Sequence, residues 1–296
     1  MRKITLVPPA FAVTAFLSVC LTVAVHAQNP PASPAAAQAQ PAPPTQSTTA
    51  PNPDDQWLAG VARHYYSAAK DGLDAFDCAV HPDWGTLFVS AQERSAAAAD
   101  PRVAILNTVK ITLHGRMKGS STLDWMPVSN PDKPLDADSV HMLEHMREAT
   151  EETLGGFMQF WTPFVDGSVV PGSSAGLEIT HSATGHTIHG VQEGAEVTVV
   201  FDNGEILQQY HVKMSGTLIS FEPAYQPTGK GLLVNHFLAH IQPAGTPAEQ
   251  AEEMRMAIEY QTVGGFPIPA RLSMEVVNTG TFNFMLDSCV ANPPAK

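Results

Sequence analysis

Apolar residues recur along this chain in two periods, and the change between them divides its ordered part. From Asp54 to Lys70, Trp57, Leu58, Val61, Tyr65 and Ala68 fall on one helical face, with Asp54 or Asp55 available to its N-terminus. A strand is predicted from Leu73 to Val80, a short helix opening at Asp100-Pro101, and an extended pair from Val109 to Met117 and Thr122 to Val128 around Gly119-Ser120. Asp138 to Leu154 has the strongest helical pattern. Val140, Leu143, Met146, Thr150 and Leu154 form one stripe, and His141, Glu144, His145, Glu148 and Glu152 the other. Gly155-Gly156 is expected to bend or break this helix, beyond which Phe157, Phe160, Trp161 and Phe164 continue the apolar stripe.

After Pro171 the period falls to two. Val197 to Phe201 and Ile206 to Met214 flank Asp202-Asn203-Gly204, a hairpin signal because Asn-Gly accepts positive φ. Ile206, Tyr210, Val212 and Met214 share a dry face, and Gln209, His211 and Lys213 a wet one. Thr217 to Glu222, Leu232 to Ile241 and Met256 to Val263 read as further strands, with a turn at Gly264-Gly265-Phe266-Pro267. In the last hairpin Leu272, Met274 and Val276 point away from Arg271, Ser273 and Glu275, and the alternation returns in Phe282, Phe284 and Leu286. Antiparallel strands with one apolar face need a cover, and the amphipathic helices can supply it. The expected fold is therefore α+β: a strongly curved antiparallel sheet, or half-barrel, wrapped over helices as a single domain from 54 to 292, with a tail at 293–296.

The order of these elements resembles the LolA-like superfamily of periplasmic lipoprotein carriers. The likeness is closest in Glu259-Tyr260-Gln261-Thr262-Val263-Gly264-Gly265-Phe266-Pro267-Ile268-Pro269-Ala270-Arg271-Leu272-Ser273-Met274-Glu275, where a Gly-containing turn and a Pro lead into an alternating strand. It covers the last third of the chain in detail and the rest in element order. The resemblance implies an apolar concavity between sheet and helices able to shelter an acyl chain. The acidic helix from Asp138 to Glu152, the proline-rich segment before the domain and the Cys78/Cys289 pair depart from the family pattern.

Composition adds an address. Residues 1–27 read as an export signal: Arg2 and Lys3, an apolar run from Ile4 to Val25, and a small-residue exit at Ala27. Two other readings stay open: a lipoprotein signal acylated at Cys20, against which Val19 stands, and an uncleaved anchor. Residues 28–53 contain eight prolines and neither charge nor aromatic ring, and read as a disordered linker. Removing the signal takes Lys+Arg from 16 to 14 against 29 acids, a net charge of −15 with His neutral, which argues against nucleic acid and anionic membrane surfaces as partners. In an exported chain Cys78 and Cys289 can form a disulfide joining the first strand to the last, the alternative being two buried thiols. The localisation expected is periplasmic, or else extracellular or membrane-tethered.

Candidate chemistry changes this picture little. Gly172-Ser173-Ser174-Ala175-Gly176 matches the nucleophile-elbow pattern, yet strand-like Leu177-Glu178-Ile179-Thr180 follows where a helix is required. His141 and His145 stand one helical turn apart beside Glu144 and Glu148, a weak metal spacing without the H-E-x-x-H signature. His181, His186 and His189 around Gly185, and His236 with His240, read as loop and rim polarity. Thr228-Gly229-Lys230-Gly231 lacks the glycine spacing of a phosphate loop.

The expected function is non-catalytic and needs no cofactor: an apolar ligand, lipid or lipoprotein acyl chain held in a cleft lined by Tyr210, Met214, Phe237, Leu272, Met274, Phe282, Phe284, Phe157 and Trp161. The alternatives are an envelope scaffold or adhesion module binding a protein partner, and a metal-dependent hydrolase centred on His141 and His145.

Overall fold

The computed structural model describes residues 52–88, 100–127, 135–192, 194–277 and 280–292. The export signal, nearly all of the linker and the C-terminal tail lie outside these residues. The chain is mixed α+β and mostly sheet. Twelve antiparallel strands form one sheet in the order β3-β2-β1-β12-β11-β10-β9-β8-β7-β6-β5-β4, which does not close, so β3 and β4 are its edges.

The chain enters through α1 (Pro53–Val61), then β1 (Ala75–Pro82), α2 (Trp84–Phe88), α3 (Pro101–Leu106), β2 (Lys110–Arg116) and β3 (Thr122–Met126). The long α4 (Ala137–Asp166) follows, and the rest is a meander: β4 (Glu178–Ser182), β5 (Gly185–Gln192), β6 (Ala195–Asp202), β7 (Leu207–Met214), β8 (Thr217–Thr228), β9 (Gly231–Gln242), β10 (Glu252–Val263), β11 (Phe266–Val276) and β12 (Gly280–Ala291). Consecutive strands pair throughout the meander, as short antiparallel connections favour. Among the named strands of the described residues, the one pair that is not consecutive in sequence is β1 with β12, and there the disulfide Cys78–Cys289 joins first strand to last as expected. A bulge at this point, where Asp77 pairs with Val290 and Ala79 with Asp287, leaves Ser288 at φ 51 and puts Cys289 beside Cys78.

The first helix is half the expected length. Asn52, not Asp54 or Asp55, caps it by accepting from the Asp54 N–H at 3.1 Å, with Pro53 in the first turn. Past Val61 the chain unwinds, yet Tyr65 and Ala68 are still buried, because residues 64–66 run beside the start of β9. Tyr66 N–H donates to the Leu232 carbonyl at 2.9 Å, Leu232 N–H donates to His64 at 2.8 Å, and Tyr65 Oη accepts from Leu207 N–H at 2.7 Å. These bonds replace the helical ones that end there. They also require Gly231: at φ 127, a Cβ on it would lie 2.8 Å from the Tyr65 backbone.

The long helix corrects the expectation in the opposite direction. It runs unbroken for 30 residues through Gly155-Gly156 and Pro163, capped by Asp136, whose Oδ1 accepts from Ser139 N–H at 2.7 Å, and stopped by Gly167 at φ 85. Each glycine costs about 1 kcal/mol of helix propensity, but Thr153, Leu154, Phe157, Met158 and Trp161 around the pair are all buried. Burying such side chains gains roughly 1.5–3 kcal/mol each, which outweighs the local cost. Val140, assigned to the apolar stripe, is 54 % exposed instead.

The hairpin between β6 and β7 also turns differently. Asp202 Oδ1 accepts from Gly204 and Ile206 N–H, both at 2.9 Å, and positive φ falls on Glu205 (63°) rather than on Asn203 or Gly204. A bulge then shifts the register, so Leu207, not Ile206, is fully buried opposite Phe201.

Candidate functional site

Register places the apolar residues of the meander in rows across one face of the sheet. Tyr210, Phe221, Ala239, Met254 and Val276 are successive cross-strand partners, and Val212, Ile219 and Ile241 form the next row. Pro223, Phe237, Met256, Met274 and Phe282 form the row on the other side. Alternation of side chains on each strand creates these rows, and antiparallel pairing aligns them.

Helix α4 packs on this face through its aromatic second half. Phe160 meets Phe221 and Phe237 at ring-centroid distances of 4.2 and 4.4 Å, and Phe164 meets Phe237 at 5.0 Å. Trp161 stacks on Phe157 at 5.9 Å and donates its indole N–H to Tyr260 Oη at 2.9 Å, and Tyr260 in turn donates to the Val234 carbonyl at 2.6 Å. Burial pushes the Tyr260 hydroxyl above its ordinary range, although the Trp161 hydrogen bond opposes the shift.

Contacts divide the apolar side chains into two groups. The larger is the core, in which Phe157, Trp161, Leu272, Met274, Phe284 and Phe237 are all buried. The smaller consists of the buried Ile219, Phe221, Ala239 and Ile241, and the partly buried Phe160, Tyr210 and Met254 pack against both it and the core, joining the two. Burial pushes the Tyr210 hydroxyl up to about 12, so it stays protonated at neutral pH. This second patch, floored by β8 and β9 and flanked by α4, is the candidate site. Its members are apolar apart from the Tyr210 hydroxyl at its border, which suits hydrocarbon better than a charged substrate.

Of the nine cleft residues expected from the sequence, six therefore lie in the core. Tyr210, Met214 and Phe282 stay partly exposed on the sheet. Tyr210 borders the second patch directly, and Phe282 belongs to the row of Phe237 and Met274. Phe160, Phe221, Ile219, Ile241 and Met254, which make up or border the candidate patch, were not among the nine. Their signal was present in the alternation of Ile219 with Phe221 and in the helical stripe through Phe160, but neither pattern distinguishes a rim from a core.

The remaining candidates resolve locally. Ser174 sits in a loop before β4, not on a strand-to-helix turn. Its hydroxyl donates to Asp55 Oδ1 at 2.8 Å and accepts from Asn52 Nδ2 at 2.8 Å, tying the loop to the start of α1. The backbone N–H of Ser174, ahead of its hydroxyl, holds the Asp55 carboxyl below its usual range. His141 and His145 bring their Nε2 atoms to 3.1 Å on the exposed side of α4, while Glu144 pairs with Arg147. His181, His186 and His189 are strand residues of β4 and β5 rather than loop residues. His236 and His240 lie on β9. Among the described residues, no group of three or more His, Cys, Asp or Glu side chains is arranged to hold a metal, and no helix is long and apolar enough to cross a membrane. No family model, curated protein or solved structure matches this chain.

Proposed function

We propose that this is an exported, non-catalytic binding protein of LolA-like half-barrel type, whose curved sheet and long helix hold an apolar ligand such as a lipid or lipoprotein acyl chain. The observation that carries the reading is the second apolar patch, where Phe160, Tyr210 and Met254 stay partly exposed beside a floor of Ile219, Phe221, Ala239 and Ile241. A protein that only needed a core would gain by covering these side chains. Each methylene of a bound chain removed from water contributes about 0.8 kcal/mol, so eight to ten of them suffice for useful affinity without a charged anchor.

Native mass spectrometry of the protein extracted from cells, followed by titration with a fluorescent long-chain fatty acid, tests the proposal. Co-purifying lipid and saturable binding are expected, with affinity at least tenfold weaker in Tyr210→Glu and Met254→Glu variants that retain the parent far-UV circular dichroism. Unchanged affinity in both folded variants rejects this patch as the site. A co-purifying protein chain in place of lipid favours the scaffold reading.

A further inference from the structure

A second place on the molecule carries chemistry that the apolar patch does not use. His181 on β4 and His186 on β5 are register partners at the hairpin that forms one edge of the sheet. Their Nδ1 atoms approach to 2.8 Å, and the opposite nitrogen of His181, Nε2, lies 3.2 Å from Asp54 Oδ1 on α1. Trp57, one turn further along that helix, packs against both imidazoles at centroid distances of 4.9 and 4.8 Å.

The hydrogen-bond inventory constrains the protons. An ionised carboxylate only accepts, so His181 Nε2 carries the hydrogen, and in the neutral ring Nδ1 then presents a lone pair toward His186. His186 can answer with an Nδ1 hydrogen or, in its other tautomer, with a second lone pair. In the second case two imidazole nitrogens converge on one point. At metal–nitrogen bonds of about 2.0 Å, two ligands at right angles stand about 2.8 Å apart and two tetrahedral ligands about 3.3 Å. The observed spacing fits the first arrangement, that of tetragonal Cu²⁺ or Ni²⁺, better than tetrahedral Zn²⁺.

We propose that His181 and His186 form a two-histidine site for a divalent transition metal, Cu²⁺ before Ni²⁺, with solvent completing the coordination. Asp54 serves as the outer carboxylate that fixes the His181 tautomer, the arrangement that commonly supports metal-bound imidazole. Cu²⁺ stands first because imidazole sites follow the general affinity order of divalent metals, which peaks there. Because the ligands lie on β4 and β5 and the carboxylate on α1, bound metal also fastens the first helix to the sheet edge.

The test is a Cu²⁺ titration of the full chain at pH 7.5 by calorimetry and tryptophan fluorescence, in a His141→Ala/His145→Ala background that removes the helix pair. One equivalent of Cu²⁺ is expected, with emission quenched through Trp57 and the thermal midpoint raised. Asp54→Asn should weaken binding 10- to 100-fold, and His186→Ala should abolish it. Trp57→Phe should keep the equivalent and lose most of the quenching. The proposal is overturned if the background protein binds no Cu²⁺, which leaves a plain imidazole–imidazole hydrogen bond, or if a His181→Ala/His186→Ala variant binds it unchanged. Unchanged affinity in Asp54→Asn overturns the part given to Asp54.

Discussion

At the scale of single residues, Tyr260 shows what the apolar pattern conceals. It stands on β10 in a strand-like segment, and its hydroxyl links the indole of Trp161 to the carbonyl of Val234. Removing that oxygen leaves a buried donor and a buried acceptor unpaired, at a cost of roughly 1–3 kcal/mol. Tyr260→Phe is therefore expected to lower the urea midpoint by that amount without changing the far-UV spectrum. A loss under 0.5 kcal/mol would mean that the two groups find other partners. Asn52 and Ser174 belong to the same class. Their side chains meet across 122 positions of sequence, at 2.8 Å, and nothing local in either segment announces the bond.

At the scale of elements, strands were more legible than helix ends. Period-two alternation located the strands from β6 to β12, because a half-buried strand writes its own pattern. It did not place all their ends: β8 runs on from Glu222 to Thr228, β10 starts at Glu252 rather than Met256, and Phe266-Pro267, expected in a turn, open β11. The helices were decided by what they touch. Gly155-Gly156 reads as a break by propensity, but α4 continues because its buried flank outweighs two local penalties. Gly155 has open space where a Cβ would go. Gly155→Ala should therefore stabilise the protein by about 0.5–1 kcal/mol, seen as a higher thermal midpoint. A lower midpoint would show that the glycine is needed for a conformation this helix leaves. The first helix fails in the other direction, since Tyr65 and Tyr66 find partners on β7 and β9 that a longer helix would not reach.

For the whole molecule, the disulfide lies where strands far apart in sequence pair, β1 with β12. Every other strand pair is closed by a neighbour in sequence, whereas β1 and β12 are joined across 211 residues. In the chain-entropy model, cross-linking a loop of that size gives about 5 kcal/mol, and measured losses for native bridges run at about 2–5 kcal/mol. A Cys78→Ala/Cys289→Ala variant, or reduction of the parent, should lower unfolding free energy within that range in urea titrations. A difference below 0.5 kcal/mol would show that β1 docks firmly on β12 without the bond. The sequence by itself determined the period-two face of the meander, the α+β class, the acidic balance and the pair of cysteines, because composition and alternation are local properties. Only the tertiary structure decided that six expected cleft residues are buried in the core while Phe160, Tyr210 and Met254 stay partly exposed between that core and a smaller apolar group on β8 and β9, and that His181 and His186 face each other beside Asp54. Burial and side-chain convergence depend on which distant strand or helix lies opposite, and a residue's neighbours in sequence do not encode that.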